Sequence, residues 1–235
     1  MTKRPKFVPV DHPDVKPVFE NVLETIVAES DRGAVLVASA VVDDYLGKLF
    51  EGILPATASS DLRKQFLKYP NPLSSMAAKA DVAFITHLIP ASIHRATTFL
   101  RKLRNVDVAH TRESFRLADH MDKVRAISEA LGPGISHFVN ESAIDVLMRG
   151  FVSNVLDAEQ KEEAEGQQFK TPQEVVDYLR HVPEAMATLQ QKSFRLEIAL
   201  SAALICSTLM MRRDEIKNAV GDAGLVGSAN GEDAA

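Results

Sequence analysis

The sequence predicts an all-α fold: a multi-helix bundle around a central apolar helix at about 31–54, with additional C-terminal helices. Three observations carry that expectation. Trp is absent and aromatic residues make up 6% of the 235, while Ala, Val, Leu and Ile are plentiful; long strands draw more heavily on β-branched and aromatic side chains. Apolar residues recur at intervals of three and four, and helix-start residues stand ahead of the recurring runs. No alternating apolar–polar run is long enough to read as a strand.

Composition bounds the class. A hydrophobic content of 46% with 25% charged residues describes an ordinary globular chain, long enough for one large domain or two small ones. The net charge of −5, from 27 basic and 32 acidic residues, excludes a global attraction to nucleic acid. Any phosphate contact must come from a local basic patch.

Pro5, Pro9, Pro13 and Pro17 predict an extended lead-in over residues 1–17, because proline fixes φ and removes a donor. No apolar stretch follows the first basic residues, so a signal peptide is not expected. Helical periodicity begins at about Val18, with Val22, Ile26 and Val27 on the same side. Ser30 or Asp31 then caps GAVLVASAVVDDYLGKLFEGIL. That segment is apolar all round until Asp43 and amphipathic after it, which places it at the bundle centre.

A short segment, SDLRKQFLKY, precedes the turn PNPL at 70–73. Ser74 or Ser75 caps the next helix, with Met76, Ala80, Ala83, Phe84 and Leu88 inward. After Pro90, a helix from about Ser92 turns Ile93, Thr97, Leu100, Leu103 and Val108 inward. Gly132–Gly134 marks the end of a helical core unit at 18–132. Residues 136–217 read as further helices packed on it. One carries Ile144, Leu147, Met148, Phe151 and Val155. Another starts at TPQE (171–174), with Thr171 as cap, Pro172 at the first helical position and Glu174 closing a capping box. The last, from about Glu184 to Lys217, contains IALSAALICSTLMM. At 14 residues (198–211), closely flanked by Arg195, Glu197, Arg212 and Arg213, this run falls short of the roughly 20 that span a bilayer. It reads as a core helix, and a cytoplasmic protein is expected. The Gly/Ala/Ser-rich tail 218–235 is expected to be disordered.

Overt chemistry is sparse. The single cysteine, Cys206, allows no intrachain disulfide and no Cys-rich zinc site. The histidines at 12, 87, 94, 110, 120, 137 and 181 form no HxxxH or HExxH pair, so no metal and no cofactor is expected. GxGxxG, GxxxxGK[ST] and GxSxG are missing, and no segment pairs a short helix, a Gly-containing turn and a polar recognition helix.

Two places remain. Asp43 and Asp44 lie where the central helix turns amphipathic. Asp44 and Lys48 are i,i+4 neighbours, and the alternative is a helix-borne carboxylate that orients a basic group of the 92–110 helix. The second place is FLRKLRNVDVAHTRESF (99–115). Over 92–116, Arg95, Arg101, Lys102, Arg104, Arg112 and Arg116 stand against Asp107 and Glu113. Arg104 suits a bidentate, charge-assisted phosphate contact, His110 titrates near neutral pH and can move a proton, and Asn105 can orient either group. The plain alternative is an i,i+3 ion pair of Arg104 with Asp107.

Three blocks taken in order, SDRGAVLVASAVVDDYLGKLFEGIL (30–54), NPLSSMAAKADVAFITHLIP (71–90) and FLRKLRNVDVAHTRESF, resemble the core pattern of the mannitol operon repressor (MltR-like) family. The resemblance covers about residues 20–130. It implies a helical bundle, a homodimer and a regulatory role exercised through protein contacts or indirect contacts with RNA or DNA, with Asp43, Asp44, Arg101 and Lys102 on the binding face. It also implies a more distant kinship to the HEPN superfamily. Nuclease members of that superfamily resemble this stretch in an Arg–Asn followed by His, paired at a dimer interface, and cut RNA without metal by assisting attack of the 2′-OH on the adjacent phosphate. On that reading Arg104, Asn105 and His110 are the catalytic residues. Such relatives usually read RNxFAH, with four residues between Arg and His; RNVDVAH has five. On a continuous α-helix, residues six apart point about 120° away from each other. Either the helix bulges or breaks near Val106–Asp107, or Arg104 and His110 do not act together.

Overall fold

A computed structural model of the chain describes residues 15–54, 59–108, 115–161, 169 and 171–228, and among them the regular structure is helical throughout. The lead-in up to residue 14 lies outside the described residues. Helix α1, Lys16–Val27, takes Pro17 into its first turn. The missing N–H costs nothing there, because the first N–H groups of a helix have no intrahelical partner. The helix therefore starts ahead of the expected Val18, and it buries Phe19, Val22 and Ile26.

Ser30 opens α2, Asp31–Ile53, with its Oγ accepting from the Gly33 N–H at 3.1 Å. Ala34, Val35, Ala38, Val42, Leu46 and Leu49 are fully buried, and α2 packs against four neighbouring helices. It is the central helix that its composition predicts, with one exception: Leu36 is 45% exposed, so a single stripe faces out.

Short α3, Ser60–Phe66, leads to α4, Met76–Ile85, which Ser75 caps by accepting from the Ala78 N–H. Helix α5, Ala91–Lys102, runs directly into a π-helical segment, Leu103–Val108. A 3₁₀ turn, Leu117–His120, then feeds α6, Met121–Leu131. Gly132 and Gly134 turn the chain with φ of 152° and 81°, where a side chain would be strained. Helix α7, Ile135–Lys161, follows. The start signal at 171–174 holds: Thr171 Oγ1 accepts from the Glu174 N–H at 3.3 Å and begins α8, Pro172–His181.

The last helix, α9, runs Pro183–Ser228. It continues well past Lys217 into the stretch whose composition suggests disorder; residues 229–235 lie outside the described residues. Ile198, Ala199, Ala202, Ala203, Ile205, Cys206 and Leu209 are each exposed by 1% or less and share one hydrophobic cluster with Phe19, Leu46, Leu100 and Ile127. Each large aliphatic side chain buried this way contributes about 2 kcal/mol. The glycine turn at 132–134 thus separates helices but not cores, and α9 forms a wall of the same core that α1 and α2 build. Val175, Leu179 and Leu189 make a smaller cluster with Leu147, Met148, Phe151 and Val155 of α7. The stretch Met186–Ala219 is long and apolar enough to cross a membrane by length and composition, yet 78% of its window is buried within the protein. It serves as a core helix.

Candidate binding site

The apolar positions of α5 explain the π-helix that follows it. Ile93, Ala96, Thr97, Leu100 and Leu103 face the core, and among the described side chains the next buried one is Val108. A spacing of five cannot be met by an α-helix, which would put Val108 about 140° away from Leu103. A π turn bonds each N–H to the carbonyl five residues back, so residue 108 stacks over residue 103 and both stay buried. One extra residue is absorbed between them, inside the interval from Arg104 to His110. The helix thus bulges over Leu103–Val108, a span that includes Val106–Asp107.

Pinned at both ends, the turn leaves Asn105 exposed and Arg104 partly exposed. Arg104 Nε donates to Asn105 Oδ1 at 2.9 Å. The bond engages the guanidinium through its Nε edge. Arg101 and Lys102 occupy the last turn of α5, where cations interact favourably with the helix dipole. The Lys102 ammonium lies 5.7 Å from the Phe99 ring centroid, a cation–π contact. His110, with Arg112 and Glu113, lies outside the described residues, as does the side chain of Asp107.

The structure separates the two aspartates. Asp44 stays on the solvent side and pairs with Lys48 at 2.7 Å, as the i,i+4 spacing predicts. Asp43 is one residue, and therefore about 100°, further round the helix. It faces α4 and accepts from Lys79 Nζ at 2.8 Å. The Lys79 side chain is 8% exposed, and its ammonium also reaches the Asp43 carbonyl at 3.4 Å. Among the described residues, the basic group that Asp43 anchors is a lysine of α4. His94 is likewise engaged: its Nε2 lies 2.8 Å from Asp81 Oδ1 and its ring stacks on Phe84 at 4.6 Å. Neither Lys79 nor Asp81 stood out in the sequence, because helical periodicity identifies the face a residue occupies and not the partner opposite.

Asp31 supports the site from below. Its carboxylate takes Arg195 Nη2 at 2.8 Å on one oxygen and the Leu117 N–H at 3.0 Å on the other. The chain is thereby fixed to α2 and α9 close to where it returns from 109–114. Among the described residues no group of three or more His, Cys, Asp or Glu side chains is placed to hold a metal ion. Burial pushes the Cys206 thiol far above its ordinary value, leaving it inert as a nucleophile. What the described residues assemble here is a basic turn, with Lys102 and Asn105 exposed and Arg101 and Arg104 partly exposed. Comparison with protein-family models, with curated proteins and with solved structures found no match in any of the three.

Proposed function

We propose that the chain is a transcriptional regulator resembling the mannitol operon repressor family, a cytoplasmic homodimer that acts through protein contacts or indirect contacts with nucleic acid. The reading rests on the three sequence blocks that carry the resemblance, not on a matched relative. The observation that favours it is the π-helical turn Leu103–Val108, which seats Leu103 and Val108 in the core and turns a basic surface outward. A guanidinium fixed at Nε keeps its other donors for a carboxylate or phosphate of the partner.

A second reading is a HEPN-type metal-independent ribonuclease, and one observation favours it. The π turn Leu103–Val108 takes up one extra residue within the stretch where the Arg104–His110 interval is one residue longer than in the HEPN relatives. In that mechanism Arg104 binds the scissile phosphate and His110 accepts the proton of the attacking 2′-OH. The 2′-O–P bond forms as the P–O5′ bond breaks, giving a 2′,3′-cyclic phosphate, and the departing 5′-oxygen takes a proton from water.

One experiment separates the two: incubation of the purified chain with single-stranded RNA in EDTA. The regulator reading expects intact RNA, together with loss of partner binding in Arg104→Ala at an unchanged melting temperature. Cleavage that disappears in both Arg104→Ala and His110→Ala would replace it with the nuclease.

A further inference from the structure

Away from the basic turn, α6, α7 and α9 enclose a cleft of about 360 Å³, within the size range of small-molecule sites. Its polar lining is Arg125, Asn140, Gln190, Gln191 and Ser193, and Phe194 and Ile144 supply apolar wall. Beneath two of these residues lies Glu197, which is 1% exposed. Asn140 Nδ2 donates to Glu197 Oε1 at 3.1 Å and Ser193 Oγ lies 3.4 Å from the same atom. The second carboxyl oxygen is buried with no hydrogen-bond partner. A carboxyl this deep on a core helix is uncommon.

The carboxyl has a definite effect on the cleft. By taking Nδ2 of Asn140 it fixes that amide, leaving Oδ1 as an acceptor. The Arg125 guanidinium lies 5.9 Å from the Phe194 ring centroid, so a donor group stands over an aromatic wall. Gln190 and Gln191 each add an amide that both donates and accepts. Apart from Arg125, the polar side chains named in the lining are neutral, three amides and a hydroxyl. A cationic ligand would meet Arg125, whereas a ligand with alternating neutral donors and acceptors meets a matching mosaic of amides.

We propose that this α6–α7–α9 cleft is a binding site for a small uncharged molecule bearing several hydroxyl or amide groups, with Arg125, Asn140, Gln190 and Gln191 as its contacts and Glu197 as the group that orients Asn140. The site is independent of the basic turn and stands or falls without it.

Four five-carbon probes test it by ligand-observed NMR on the full chain: xylitol and glutaramide as uncharged solutes, glutarate and 1,5-diaminopentane as charged ones. Saturable binding of xylitol or glutaramide is expected, at least tenfold tighter than either charged probe. It is expected to fall at least tenfold in the double variant Gln190→Leu/Gln191→Leu, whose side chains are exposed in the free protein. The Arg104→Ala variant is expected to bind as wild type does. Absence of saturable binding by both uncharged probes, a preference for glutarate or the diamine, or unchanged affinity in the double variant would overturn the assignment.

Discussion

Asp31 and Arg195, separated by 164 positions in the chain, meet in a two-pronged contact: Nη2 at 2.8 Å and Nε at 3.2 Å from the same carboxylate oxygen. Both side chains are largely covered, at 22% and 32% exposure, so water screens the pair less than it would a surface ion pair. The other oxygen of Asp31 holds the Leu117 N–H. Asp31→Ala removes the ion pair and strands a backbone donor, and is expected to destabilise the chain by about 2 kcal/mol. Arg195→Ala leaves the Leu117 bond in place and is expected to cost about half as much. A double-mutant cycle read by urea denaturation measures the coupling. Equal losses in the two single variants would show that the backbone bond contributes nothing.

Removing Asp43 is expected to hurt more than removing the lysine it pairs with. Lys79 is the buried member of the pair, and an ammonium left without its carboxylate retains the whole desolvation cost. Asp43→Ala is expected to lose about 3 kcal/mol, a fall of roughly 10 °C in melting temperature for a chain of this size. Lys79→Met leaves behind a partly exposed aspartate and is expected to stay within about 1 kcal/mol of wild type. The double variant Asp43→Ala/Lys79→Met then recovers most of the loss. If the two single variants melt together, the pair is not acting as a buried charge and its counter-ion.

These two pairs show where the sequence is legible. Caps are local, so Ser30, Ser75 and Thr171 can be placed from a few neighbouring residues, and each accepts the N–H that its spacing calls for. Faces are local as well, which is why Leu100, Leu103 and Val108 are identifiable as core positions. The long Arg104–His110 interval raises a bulge near Val106–Asp107 as one of two alternatives, and the five-residue gap from Leu103 to Val108 is a second sign of the π turn, because no α-helix buries both. Pairings across helices are not local. Nothing in the neighbourhood of Asp31, Asp43 or His94 names Arg195, Lys79 or Asp81. Glu197 is the sharpest case: flanking an apolar run it reads as a surface charge, and it is buried because Asn140 and Ser193 supply donors at that depth.

Glu197 also makes stability depend on pH in the less common direction. Burial raises its carboxyl above the ordinary value, against the lowering effects of Asn140, Arg125 and Ser193. The unfolded chain titrates near the usual glutamate value of about 4.3, so between that pH and the raised native value the folded state holds the proton more tightly. The stabilisation from protonated Glu197 is present below the unfolded value and is lost as pH rises through the folded one. Glu197→Gln cannot titrate, and the difference in stability between variant and wild type is expected to shift in favour of the variant as pH rises from about 4. Urea midpoints at pH 4 to 8 provide the test, and a difference that stays constant across that range would show that Glu197 titrates alike in both states.

The π turn allows a prediction by deletion instead of substitution. If Leu103–Val108 carries one residue more than an α-helix needs, removing Asp107 places the valine four positions after Leu103, where an α-helix keeps it on the buried face. The variant is expected to retain its helical circular dichroism and to melt within a few degrees of wild type, or higher, since a π turn is a local departure from the α-helix. Because the π turn absorbs the extra residue, the deletion keeps the chain after the valine in about the same angular relation to Arg104 and Asn105. Partner binding, or RNA cleavage on the second reading, is therefore expected to be retained. Lost activity in a variant that folds would show that the bulge itself is needed for function, and a drop of more than about 10 °C would show that the core requires it, since a loss that large in a chain of this size marks several kcal/mol.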